Sequence, residues 1–291
     1  MNYSEFIEEI KTQVSHRLTN EEQLMVQPML RNNGTSYDGL TIVRKDCNIS
    51  PTIYLNPYYH RYLSGSSIEE IYTDILSVYH SNQPQNNFDV RQYTDFRNVH
   101  SRIVMRLVHY RKNEHLLSEI PHIAYHDLAI VFACLLDTGY KEHASILIRN
   151  NHLSHWNVTV DTLYALAGEN TPRLLPLQVI PIEEMLTHYA IPLDTPSRMY
   201  ILTNEHHLNG ASVILYPNTL SRLASEVNSD LILLPSSIHE WIAVLADDNM
   251  CMEDYHFMVK EVNETQLMDE EVLSDHAYYY DRIRHTLITY A

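Results

Sequence analysis

A serine, a histidine and a glutamate fall within four residues at Ser237, His239 and Glu240, in the stretch LPSSIHEWI. These are the residue types of a nucleophile, a general base and an orienting carboxylate, which carry acyl transfer when they converge in space. Their spacing along the chain argues for something else. Ser237-x-x-Glu240 is the pattern of a capping box, in which the serine oxygen accepts from the third amide of a helix and the glutamate reaches back to the cap. With Pro235 and the apolar run DLILL before it, the pattern predicts a strand-to-helix junction. A helix starting there would leave amide N–H groups able to hold an anion, with His239 in the first turn.

The 18 histidines raise metal chemistry. His152 and His155, in NNHLSHW, stand one helical turn apart and could share a zinc ion with a third ligand from elsewhere in the fold. His122 and His126, in PHIAYHDLAIVF, would lie about 13 Å apart on one side of a strand, too far for a common ion. Glu205, His206 and His207, in TNEHHLNG, fall where a hairpin loop is expected. Cys47, Cys134 and Cys251 are isolated, so neither a disulfide framework nor a CxxC pair is in view. A reducing, cytoplasmic setting fits that usage.

Only six glycines occur, and no GxGxxG, GxxxxGK or GxSxG pattern is formed. Loops that cradle phosphates need glycine for close backbone approach, which argues against the usual nucleotide-binding folds. HExxH and EF-hand patterns are also lacking.

The elements that must position these residues read as follows. Tyr3, Ile7, Ile10, Val14 and Leu18 recur at helical spacing and lay one apolar stripe on an opening helix. QLMVQPMLR, NNG and DGLTIVRK read as strand, turn and strand, with Pro28 at an edge or bulge. PTIYLNPYYHRYLSGSSIEEIYTDILSVYH gives a short strand, a short helix and a helix capped by Ser66 or Ser67. Leu128 to Leu136 is an apolar run of nine residues, a buried strand far short of the roughly 20 a membrane span needs. FRNVHSRIVMRLVHY admits helix or strand. Pro172 to Pro196 carries five prolines about a short helical pattern and reads as a surface connector. HAYYYDRIRHTLITY closes the chain as a hairpin.

A strand, short helix and long helix recur. Tyr62 aligns with Trp156, Ile68 with Val160, Glu69 with Asp161, Ile71 with Leu163 and Tyr72 with Tyr164, and ASVILYPNTLSRLASEV is a truncated third version. The alternatives are an internally duplicated unit or the ordinary likeness of any strand followed by an amphipathic helix. The polar stretch SNQPQNNFDV separates an N-terminal subdomain, residues 1–88, from a larger one, residues 89–291.

Thirty-seven carboxylates against 20 Lys and Arg give a formal charge of -17, which disfavours direct nucleic-acid binding and suits a basic protein partner. Charge is unevenly spread: six basic residues meet only Asp95 from Arg91 to Lys112, and ten carboxylates meet only Lys260 from Asp247 to Asp275. Glu270 and Glu271, in the centre of an acidic run, are candidates for a partner surface. The N-terminus, acidic and amphipathic, does not have the pattern of a secretory signal.

Several strings together, NNGTSYDGLTI, PTIYLNPYYHRYLSG, PHIAYHDLAIVF, ILIRNNHLSHW, GENTPRLLP, LLPSSIHE and LSDHAYYYDR, resemble an uncharacterised family, a domain of unknown function of gut Clostridia and related Firmicutes, sometimes encoded near mobile elements. The layout is also similar, more faintly, to another such family of bacilli. The resemblance implies a bacterial, intracellular α+β protein and transfers no catalytic residue.

The expectation is therefore an α+β chain of antiparallel strand pairs each followed by helices, working without a cofactor as a protein-binding or accessory factor. An acidic inhibitor linked to mobile elements is its specific form. Ser237, His239, Glu240, Glu270 and Glu271 are the candidate binding residues. The competing expectation is a metal-dependent hydrolase with zinc on His152 and His155.

Overall fold

A computed structural model describes residues 1–45, 47, 50–82, 93–136, 145–186, 198–247 and 250–290. It is an α+β chain whose contacts cluster into two units, Met1–Arg31 with Thr35–Val90, and Asn32–Gly34 with Arg91–Ala291. The linker stretch and the expected boundary near residue 88 lie outside the described residues.

In the first unit α1 (Tyr3–Ser15) starts on a capping box between Asn2 and Glu5. Its buried positions are Phe6, Ile10 and Val14, while Tyr3, Ile7 and Leu18 pack at the margin, so the apolar stripe centres on Phe6. Strands β1 (Glu22–Leu30) and β2 (Ser36–Arg44) pair antiparallel from Glu22↔Arg44 to Leu30↔Ser36, and β3 (Thr52–Tyr54) adds to β2. Between β1 and β2, Asn33 and Gly34 take φ of 58° and 70°, the left-handed conformation that Asn and Gly tolerate. Pro28 lies on edge strand β1, where its missing N–H disturbs no second ladder. Helices α2 (Leu55–Leu63) and α3 (Ile68–Ser81) follow, α3 capped by Ser67 with Glu70 reaching back. Leu40, Ile42, Leu55, Ile71 and Ile75 join the α1 residues in one core.

The second unit begins with α4 (Phe96–Val99), a 3-10 turn and β4 (Ile103–His109), so the ambiguous segment is helix and strand in succession. Then come α5 (Glu114–Glu119), β5 (His122–Tyr125), the wholly buried β6 (Leu128–Leu135) and β7 (Ser145–Leu147). Strand β6 pairs antiparallel with β4, β5 and β7. Helices α6 (Asn150–Trp156) and α7 (Val160–Leu174) follow.

The run β3–α2–α3 and the run β7–α6–α7 share their order, and in each the strand pairs antiparallel with the long strand before it. Ser67 and Thr159 cap the two long helices at aligned positions, and the aligned Ile71 and Leu163 are both fully buried. The likeness fades at Tyr72, 8% exposed, against Tyr164, 44% exposed.

A six-stranded antiparallel sheet completes the unit, in the order β13-β12-β10-β11-β9-β8. Its strands are β8 (Leu177–Pro181), β9 (Met199–Asn204), β10 (Leu231–Ser237), β11 (Glu240–Leu245), β12 (Ala277–Asp281) and β13 (Thr286–Tyr290). Part of the expected proline-rich connector is thus an edge strand, β8, followed by α8 (Ile182–Leu186); residues 187–197 lie outside the description. An edge tolerates Pro181 because only one side of the strand is paired. The truncated third repeat follows strand β9, which covers MYILT, but its ASVIL segment is a 3-10 helix (Gly210–Leu215) and not a strand, leading to α9 (Thr219–Glu226). Helix α10 (Met252–Thr265) lies on one face of the sheet, with Val259, Met252 and Tyr255 against Ile232, Leu234, Val244 and Ala277.

Candidate functional site

The stretch that suggested a helix cap is a β-hairpin. Leu231 to Pro235 pair with Leu245 to Trp241, and after an irregularity Ser237 opposes Glu240, with Ile238 and His239 as the turn. The local S-x-x-E pattern is outweighed by flanking apolar strands, one of which buries Trp241 completely against Tyr278, ring centroids 5.1 Å apart. The expected helix N-terminus and its anion site are therefore corrected. Ser237 Oγ accepts from His239 N at 3.0 Å, and His239 Nδ1 accepts from Asn209 N at 3.1 Å. The serine oxygen and the histidine ring are thus each held by a backbone amide rather than by each other. Ser236 Oγ donates to Glu240 Oε1 at 3.1 Å.

The loop TNEHHLNG is the other half of this knot. It does not join two paired strands as a hairpin; it runs from β9 into the 3-10 helix. Asn204 Oδ1 accepts from His206 N and Leu208 N, and Thr203 Oγ1 donates to His239 O at 2.8 Å. A Cβ on Gly210 would come within 2.3 Å of both His239 O and Thr203 Oγ1, so only glycine fits between the two loops.

A cleft of about 570 Å³ opens beside this knot's sheet, lined by His109, Arg111, His126, Asp127, Asp275 and His276 among others. Its carboxylates are engaged. Asp127 accepts from the Tyr278 hydroxyl through Oδ1 and from Ser274 Oγ at 2.7 Å through Oδ2. Asp275 Oδ1 accepts from Asn263 Nδ2 at 2.9 Å and lies 3.5 Å from Lys112 Nζ, and Oδ2 lies 3.6 Å from His109 Nε2. Burial disfavours the charge of Asp275, but Lys112, the Asn263 amide and His109 outweigh it and hold its pKa below the usual carboxylate value. Burial and Lys112 push the His109 pKa down, against Asp275. Burial lowers that of His126 as well, while burial followed by Asp127 raises that of Tyr278.

Backbone fixes the same groups. His126 sits in the β5–β6 turn at φ 55°, off the strand on which sequence spacing placed it, and its Nδ1 meets Thr289 Oγ1 at 2.9 Å. Asn33 and Asn113 bond reciprocally, Asn33 N to Asn113 Oδ1 at 2.9 Å and Asn113 Nδ2 to Asn33 Oδ1 at 2.8 Å. Asn33 Nδ2 also donates to Asp269 O and Val272 O, both at 2.7 Å. The turn NNG, the pair HD at 126–127 and the run SDHAY at 274–278 are thus one polar network. Residue-by-residue reading did not find it, although all three lie in strings quoted for the family resemblance.

That resemblance has a definite counterpart. DUF5688, a family of unknown function, matches residues 3–282. The chain belongs to DUF5688. No curated protein and no solved structure matches it. In this DUF5688 chain no helix among the described residues is long and apolar enough to cross a membrane.

The other expected residues are dispersed. His152 Nδ1 accepts from Arg149 N at 3.1 Å and its ring meets Tyr93 edge-on and lies tilted against Trp156; burial lowers its pKa. His155 is exposed on the same helix. Among the described residues no group of three or more His, Cys, Asp or Glu side chains could hold a metal ion. Glu270 and Glu271 are half-buried in a 3-10 helix, where Glu270 O accepts from Asn32 Nδ2 and Glu271 O from Ile238 N. The acidic and basic stretches meet through Asp275 and Lys112.

The outward face of α10 has the opposite character from the cleft. Phe257 is 66% exposed and Met258 49%, and Asp254, Glu261 and Glu264 are exposed one turn to either side. Residues three and four apart are neighbours on a helix, so these form one stripe. None of these three carboxylates forms an ion pair among the described residues.

Proposed function

We propose that this chain acts by binding a protein with a basic surface, through the outward face of α10, as an accessory factor rather than a catalyst. The observation that carries this reading is the exposed Phe257 and Met258 set among the carboxylates Asp254, Glu261 and Glu264, which form no ion pair among the described residues although Lys260 lies on the same helix. Aromatic and Met side chains supply the central contact of protein interfaces, and a charged rim steers and orients the partner. Glu270 and Glu271, just beyond the helix, extend the same sign of charge. The cleft supports the non-catalytic part of the reading, because its carboxylates and His109 are tied to one another and to neighbouring donors. A catalytic base needs a lone pair directed at a proton to be removed.

A nucleic-acid-handling enzyme is the class of partner this charge fits, since such enzymes present basic surfaces to phosphates. An acidic inhibitor carried by a mobile element is the specific form of the proposal. Affinity capture from a lysate of the source cells tests it, comparing wild type with the double variant Phe257→Ala, Glu261→Lys and with Glu270→Lys, Glu271→Lys. We expect a stoichiometric protein that the first variant loses and the second retains weakly, with elution at raised salt. An unchanged set of captured proteins removes this face from the account.

A further inference from the structure

The cleft of the second unit contains a carboxylate without a paired cation. Asp127, in the β5–β6 turn, accepts from the Tyr278 hydroxyl through Oδ1 and from Ser274 Oγ at 2.7 Å through Oδ2. Ser274 Oγ itself accepts from His276 N at 3.0 Å, so its proton points to Asp127. Both oxygens therefore accept, as those of an ionised carboxylate do, and both donors are neutral. Among the described residues no Lys or Arg pairs with it.

Of all the Lys and Arg residues only Arg91 and Lys141 fall outside the described ones. Both join the described chain at the far end of β6. Lys141 falls between Leu135 and Ser145, which pair, and Arg91 stands two residues before Tyr93, whose pKa burial and then Cys134 raise. Strand β6 carries that end about 23 Å from Leu128, the neighbour of Asp127. Four residues of fully extended chain span about 14 Å, too few to bring either charge back to Asp127.

The cleft, of about 570 Å³, falls within the range of small-ligand sites and is lined by two further charged groups. Asp275 Oδ2 has His109 Nε2 at 3.6 Å, longer than a hydrogen bond, and so keeps room for a donor. Arg111 is exposed and opens the 3-10 turn after β4; because Tyr110 N donates to Asp127 O at 3.0 Å, it starts one residue from that contact. What complements these groups carries both signs of charge. A bare ammonium meets repulsion from Arg111, and a bare anion meets it from Asp127 and Asp275. A metal ion needs more ligands than two, and among the described residues no group of three or more His, Cys, Asp or Glu could hold one.

We propose that the cleft is the receptor for a free α-amino acid, its ammonium donating to Asp127 and Asp275, its carboxylate held by the Arg111 fork and its side chain lying along Tyr110. An ammonium has three N–H donors, enough for both carboxylates, and a guanidinium matches a carboxylate bidentately. Such binding transfers no proton. The site belongs to the cleft and not to the outward face of α10, so it does not rest on the protein-binding reading.

Isothermal titration calorimetry of the purified full chain at pH 7.5 tests it, with the standard L-amino acids added one at a time. At least one is expected to bind saturably at a single site. Its N-acetyl derivative, which has no ammonium, and the amine left by removing its α-carboxyl group are expected not to bind. Arg111→Gln, at an exposed position, is expected to weaken binding at least about tenfold, and Asp127→Asn to abolish it. No saturable binding by any amino acid, equal binding by either derivative, or undiminished binding by either variant overturns the proposal. Should Asp127→Asn fail to fold, the N-acetyl derivative and Arg111→Gln decide the matter.

Discussion

Tyr278 and Asp127 show at the residue scale how the cleft is held. The phenol reaches a carboxylate that also accepts from Ser274, and its ring meets those of Trp241 and His126 edge-on. Replacing Tyr278 with Phe leaves the carboxylate with one donor fewer, so about 1–3 kcal/mol of stability should be lost in urea denaturation. A Phe variant as stable as wild type would mean that Asp127 finds water instead. Gly210 gives a sharper case. Gly210→Ala places a methyl group 2.3 Å from His239 O, a backbone atom that cannot swing away. We expect a loss of about 3 kcal/mol or misfolding, read by denaturation or by soluble yield.

At the scale of elements, what could be read in the sequence was what local chemistry decides. The Asn33–Gly34 turn, the Ser67 cap and the apolar β6 each follow from a few adjacent residues, and each is present. The hairpin at Ser237 shows the limit, because S-x-x-E describes a capping box and a tight turn equally well. Its identity was set by pairing between Leu231–Pro235 and Trp241–Leu245 and by Trp241 in the core, where the indole N–H donates to Ala211 O at 2.8 Å. Trp241→Ala should accordingly cost about 3–5 kcal/mol, as the loss of a large core aromatic does. The network of Asn33, Asp127 and Ser274 was equally hidden, since its members are far apart in sequence and come from loops that belong to three different sheets. Helix α10 is different again: its buried positions Val259 and Asn263 were set by packing, while its exposed acids were visible in composition.

For the whole molecule the histidines set a pH response. Burial lowers the pKa of His109, His126, His152 and His256 in the folded chain. Below the unfolded value of about 6.5 the unfolded chain therefore binds more protons, and stability falls as the pH is lowered. Asp275, whose pKa is lowered, contributes stability above the unfolded carboxylate value of about 3.9, and that contribution is lost only in stronger acid. Denaturation curves at pH 7.5 and pH 5 should show the lower midpoint at pH 5; equal or rising stability contradicts the burial of these rings.

The proposed partner surface is the outward face of α10 and not the cleft. Its most direct test is a benzophenone side chain at position 257, irradiated in the source cells, with the same group at exposed Leu63 as the control. A discrete protein adduct is expected at position 257, abolished by Glu261→Lys and Glu264→Lys together, and no such adduct at position 63. No adduct at 257, or the same adducts at both positions, would contradict it.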